Sequence, residues 1–152
     1  MKQRGVTLVE LIVVMVIIAI GAVLIAPNIG GFLPNYRLRS GAREIVSTMR
    51  LAQMKAISTN QGHGVAFGAN SFQVFYRDTG GALQADGVSV SLPKGVELID
   101  NTFPLVTVGG SNKPFAEFNP NSTSSAGAVN VKGKKGSKRI TVASATGRIK
   151  IE

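Results

Sequence analysis

Residues 11–26 read Leu-Ile-Val-Val-Met-Val-Ile-Ile-Ala-Ile-Gly-Ala-Val-Leu-Ile-Ala, sixteen uncharged and almost wholly apolar positions in a row. Extended back to Val6, the run reaches 21 residues, broken only by Thr7 and Glu10. About 20 apolar helical residues span a bilayer core. Lys2 and Arg4 precede the run, so the excess of basic residues on the cytoplasmic side places the N-terminus in the cytoplasm and the remainder outside. A secretory signal would need a shorter apolar core and a small-x-small cleavage site, and neither is present. A plain membrane anchor accounts for the length but not for Glu10. A carboxylate at that depth costs about 2.5–3.5 kcal/mol on insertion scales, which makes it a functional residue by default. Placement in the first turns of a helix offsets part of that cost.

Residues 5–10, Gly-Val-Thr-Leu-Val-Glu, stand directly before the apolar run. This segment resembles the N-terminal signal of type IV pilins and type II secretion pseudopilins: a short basic leader ending in Gly, then Phe-Thr-Leu-x-Glu, then a hydrophobic helix. Val6 stands where the family usually has Phe. The resemblance covers Lys2 to about Pro27. It implies cleavage between Gly5 and Val6 by a membrane prepilin peptidase, followed by methylation of the new amine. Glu10 becomes the fifth mature residue, and in the family that carboxylate pairs with the N-terminal amine of a neighbouring subunit. An ammonium from a neighbour is a physical reason for subunits to dock in one register, because an unpartnered buried carboxylate is costly.

Beyond the run, Pro27, Pro34 and the Gly30-Gly31 pair predict a kink or unwound stretch over 26–34. Helical patterning then resumes. Leu38, Ala42, Ile45, Met49, Ala52 and Ala56 step by four and three, a narrow apolar seam suited to packing on a sheet, with Arg39, Arg43 and Arg50 on another face. Gln61-Gly62 and Gly64 are expected to end the helix. If fully helical, 55 residues from Val6 extend about 80 Å. After Gly62 the pattern changes to short β runs: 65–67, 72–76, 88–92, 96–99, 105–108, 115–118, 128–132, 139–143 and 148–151, with a polar loop over 119–127. The expected fold is α+β, a pilin-like lollipop. A long N-terminal helix packs on an antiparallel β-sheet head, one sheet on one helix. Four segments follow: a cleaved leader over 1–5, a transmembrane or filament-core helix over 6–26, a helical spine over 27–62, and a β-rich head with a basic C-terminal hairpin over 63–152.

The chain carries 17 Lys+Arg and 8 Asp+Glu, a net charge of +9, and its mean hydropathy is +0.20. That combination arises from geography. Losing Lys2 and Arg4 leaves 15 − 8 = +7; residues 6–62 hold +3, residues 63–131 hold −2, and residues 132–152 hold +6. The last segment contains Lys132, Lys134, Lys135, Lys138, Arg139, Arg148, Lys150 and one acid, Glu152. With Ile140 and Val142 facing a core, Arg139, Arg148 and Lys150 share one solvent face beside a Lys132–Lys138 loop.

Zero Cys and one His exclude a thiol nucleophile, a Cys-ligated zinc site and a multi-His metal cage. There is no phosphate-cradling Gly-rich loop and no His-Glu-x-x-His. His63 reads as a surface or capping residue, and Asp78, Asp86 and Asp100 as ordinary turn residues. Neither an enzyme, nor a cofactor, nor a metal site is expected.

The tail, Phe118-Asn-Pro-Asn through Gly127 and then Ile140-Thr-Val-Ala-Ser-Ala-Thr-Gly147-Arg148-Ile149, is similar to the closing part of GspH/FimT-type minor pilins. The resemblance implies a structural subunit without catalytic activity. It is held in the bacterial inner membrane with its head in the periplasm, and then incorporated into a type II secretion pseudopilus or a type IV pilus. Implied partners are other pilins through the N-terminal helix, the prepilin peptidase and the inner-membrane assembly platform. Some minor pilins of this kind bind DNA through a basic C-terminal region, which is the alternative reading of residues 132–152. The bland reading is a solvated basic face, or one that pairs with acidic neighbours. The segment has no aromatic residue, so base stacking is not supported. Major pseudopilins carry acidic calcium loops, and this tail is basic. The tip-most pseudopilin usually lacks the equivalent of Glu10.

Overall fold

The computed structural model describes residues 5–25 and 29–152. Lys2 and Arg4, on which the expected membrane orientation rests, lie outside the described residues, as do positions 26–28. The chain divides into two compact units, Met1–Leu33 and Pro34–Glu152. Helix α1 spans Leu8–Ile25 and helix α2 spans Ile29–Thr59. Of the break expected over 26–34, the part from Ile29 onward is helical, and Pro34 sits inside α2. A proline removes one rung of the hydrogen-bond ladder but leaves the rest to hold the helix.

In α1, Leu8, Val9, Leu11–Ile18, Ile20 and Val23 are all exposed. A helix apolar on every face is suited to burial in a protein core or a membrane. At 1.5 Å per residue its eighteen residues extend about 27 Å, slightly short of a bilayer core of about 30 Å. Among the described residues no helix is long and apolar enough by itself to cross a membrane.

The second unit carries the core. Every residue of the expected seam, Leu38, Ala42, Ile45, Met49, Ala52 and Ala56, is buried, and Val46 joins them. The helix stops at Asn60, whose φ of 54° places it in the left-handed region. Asparagine tolerates that conformation, so the cap falls on Asn60, before the glycines expected to supply it.

Ten strands follow: β1 His63–Phe67, β2 Ser71–Arg77, β3 Leu83–Ala85, β4 Val90–Ser91, β5 Val96–Ile99, β6 Leu105–Val108, β7 Ser111–Phe118, β8 Gly127–Gly133, β9 Gly136–Val142 and β10 Ile149–Ile151. All pairings are antiparallel. They form two sheets where one was expected. The first runs β3-β2-β1-β7-β6 with β4 also on β2, and the second runs β10-β9-β8-β5. The helix seam is the common wall. Val65, Phe67, Phe72, Val74, Ala116 and Phe118 from the first sheet and Val129, Val131, Ile140 and Val142 from the second join it in one cluster. On the far face of the first sheet, Ala66, Phe75, Val108 and Phe115 make a smaller cluster. Strand β1 is therefore buried on both faces. At Gly64 that crowding is absolute: a Cβ would stand 2.6 Å from the Ala116 carbonyl oxygen and overlap the Phe115 ring.

Candidate functional site

Gly5 and Val6 are exposed and precede α1; a side chain at position 5 would meet nothing within 4 Å. Thr7 caps the helix. Its carbonyl accepts from the Leu11 N–H at 3.2 Å, and its Oγ1 accepts from the Glu10 N–H at 3.3 Å. This satisfies a donor that a helix start otherwise leaves free. Thr-x-x-Glu at residues 7–10 is the capping-box spacing, a signal for this helix start that lies in the sequence itself. Glu10 lies in the first turn and is exposed. Among the described residues its carboxylate has no hydrogen-bond or ion-pair partner.

The basic tail does not form one cluster. Alternation along β9 puts Lys138 on the core-facing side with Ile140 and Val142, and Arg139 on the other side. Lys132, Arg139 and Lys150 share that outer face. Register places Asn130 opposite Arg139 and Thr141 opposite Lys150. Arg148 continues it, its carbonyl accepting from the Ala143 N–H at 3.1 Å. Two carboxylates are interleaved. Glu97 is opposite Lys132 in the β5–β8 pairing, and Glu152 exchanges both backbone bonds with Arg139 at 2.8 and 3.0 Å. Lys134 and Lys135 sit exposed in the β8–β9 turn. The expected Lys132–Lys138 loop is thus two strands and a turn. Lys138 is half-buried and lines a groove of about 260 Å³ with Arg39, Ala42 and Arg43 of α2 and Ile151 of β10.

His63 is not a surface residue: it is buried at 4 % exposure on the helix-facing side of β1. Its Nδ1 lies 3.0 Å from the Gln61 carbonyl oxygen and its Nε2 3.6 Å from Asp86 Oδ2. Asp86 is not merely a turn residue, since Lys55 Nζ of α2 donates to both its oxygens at 2.7 and 2.9 Å. The set ties the end of α2 to the first sheet. Across the far face of that sheet, Arg77 donates to Glu117 at 2.9 and 3.1 Å. That hydrogen bond, chiefly, raises the Arg77 pKa above its ordinary value. Asp78 does act as a turn residue, its Oδ1 accepting from the N–H groups of Gly80 and Ala82 at 2.9 Å each. Among the described residues no group of three or more His, Cys, Asp or Glu could hold a metal ion.

The tail motif has a geometric basis. Phe118 is fully buried, and the turn behind it is closed by the Asn119 N–H donating to the Thr123 carbonyl at 2.8 Å. Gly147 adopts φ +59°, and a Cβ there would stand 2.6 Å from Gln53 Nε2 of α2 and 3.0 Å from the Ser122 carbonyl oxygen. Gly147 therefore locks the final turn onto the helix.

Two family descriptions match the chain. The prokaryotic N-terminal methylation motif matches residues 1–26, and type II transport protein GspH matches residues 41–147. No curated protein matches it. Among solved structures, the minor pseudopilin EpsH of the Vibrio cholerae type 2 secretion system is similar at 12 % identity and a TM-score of 0.62. The alignment covers 76 % of this chain and 96 % of EpsH. The type IV minor pilin FimU of Pseudomonas aeruginosa is similar at 14 % identity and a TM-score of 0.59, covering 80 % of this chain and 92 % of FimU. At such identities the likeness is one of fold.

Proposed function

Because this chain belongs to the type II transport protein GspH family, a family of minor pseudopilins and minor pilins of pilin-like fold, we propose that it is a structural subunit of a type II secretion pseudopilus or type IV pilus. It is stored in the inner membrane by residues 6–26 with its head in the periplasm. Prepilin peptidase cuts between Gly5 and Val6, and an inner-membrane platform adds the subunit to a filament of other pilins. The observation that carries this reading is α1: its large apolar side chains from Leu8 to Val23 are exposed, and Glu10 in its capped first turn has no partner among the described residues. Bundled helices bury the apolar surface, and a neighbour's N-terminal amine satisfies Glu10.

The test is made in cells with the full chain. Glu10→Ala is expected to give the mature mass but no incorporation into filaments. Gly5→Val is expected to leave the uncut precursor. Normal incorporation of the Glu10 variant, or a normal mature mass for the Gly5 variant, overturns the reading.

A second reading has one observation in its favour. Lys132, Arg139, Arg148 and Lys150 share the outer face of the second sheet, an arrangement suited to phosphate contacts on duplex DNA. Glu97 and Glu152 on the same face weaken it.

A further inference from the structure

The groove between α2 and the β9–β10 edge brings together three cations from distant parts of the chain. Arg39 and Arg43 lie one helical turn apart, and Lys138 reaches in from β9. Like charges at that helical spacing repel. Among the described residues none of the three has an ion-pair partner. Two of the head's acids are engaged elsewhere, Asp86 with Lys55 and Glu117 with Arg77. The groove is also apolar in part, with Ala42 in its wall and Ile151, 40 % exposed, at its edge. Its complement is an apolar side chain flanked by carboxylates.

We propose that this groove is a docking site for an acidic peptide segment of a neighbouring filament subunit, in which carboxylates meet Arg39, Arg43 and Lys138 and an apolar side chain covers Ile151. The identity of the partner rests on the filament reading above; the chemistry of the groove does not. Nucleic acid fits less well. A phosphodiester backbone offers nothing to Ile151. Lys138 faces the opposite side of the sheet from Lys132, Arg139, Arg148 and Lys150.

The experiment uses the full chain in detergent micelles and a fluorescein-labelled peptide of alternating glutamate and valine, followed by anisotropy. Binding is expected at about 50 mM salt and is expected to weaken as salt screens the pairs. Arg39→Gln, Arg43→Gln and Lys138→Gln are each expected to lower affinity about two- to five-fold, the range of single exposed ion pairs. Ile151→Ser is expected to lower it as well, because a purely electrostatic contact is blind to that change. Arg148→Gln, Lys150→Gln and Glu10→Ala are expected to bind like the parent. The Glu10 variant separates this proposal from the filament reading, which can fail while the peptide still binds. Absence of binding overturns the proposal, and so does equal loss in the Arg148 and Lys150 variants. Displacement of the peptide by duplex DNA with the same dependence on Arg39, Arg43 and Lys138 overturns it in favour of a nucleic-acid groove.

Discussion

At Gly147 two separate demands meet on one residue. The backbone is left-handed, which costs a side chain about 1–2 kcal/mol, and the space is already filled by Gln53 and the Ser122 carbonyl. Gly147→Ala is therefore expected to destabilise the fold. Adding Gln53→Ala relieves the side-chain clash and leaves the backbone cost. The double variant, measured by denaturant unfolding, should lose less stability than the sum of the two single variants. Asp78 makes a different kind of prediction. Hydrogen bonds from Gln84 first, then from the backbone at Ala82, hold its carboxyl below the usual value of 3.8. A lowered folded value means that the charged form stabilises the fold at pH above 3.8, and that this contribution disappears as pH falls through the folded value. Asp78→Asn keeps an acceptor for the turn but removes the titration. Parent and variant should differ in urea midpoint at pH 7, and the difference should shrink towards pH 3.

One element, α2, shows two faces with different consequences. Ile45 is fully buried in the main core, whereas Leu51 is 43 % exposed. Ile45→Ala leaves a cavity and is expected to cost about 2–5 kcal/mol, while Leu51→Ala should stay within about 0.5 kcal/mol in the same unfolding experiment. This seam was legible in the sequence because six apolar positions repeat the helical period without a gap. Strands β5 and β6 are legible to the residue, β5 opening after the turn at Lys94-Gly95 and β6 closing at the turn at Gly109-Gly110. Strand β3 is not, because Leu83–Ala85 is short and mostly exposed, and nothing in its pattern marks burial. His63 departs from its sequence expectation for a related reason. Its glycine neighbours suggest an exposed turn, but the groups that bury it, Asp86 and Tyr76, arrive from strands and loops formed later in the chain. Alternation alone puts Arg139, Arg148 and Lys150 on one face, and the strand register runs the same way. Lys138 lies on a strand where the sequence suggests a loop, and the groove it shares with Arg39 and Arg43 is a tertiary product that no local pattern records.

For the whole molecule, a net charge of +9 overstates what any one surface offers. The second sheet divides its cations between two faces, and its outer face mixes Lys132, Arg139, Arg148 and Lys150 with Glu97 and Glu152. If that face holds duplex DNA, no more than four phosphates are neutralised by it. The logarithm of affinity should then fall with the logarithm of salt at a slope of about −3 to −4. Lys150→Gln should reduce that slope by about one, and Glu97→Gln should tighten binding by removing a carboxylate from the contact. Lys138→Gln should change nothing, because it faces the helix side. Gel shifts of the full chain in detergent across a salt series measure all three. Binding that follows total charge regardless of face, or no shift at about 50 mM salt, removes DNA capture as a function of this face. The structural role argued from α1 and Glu10 then stands by itself.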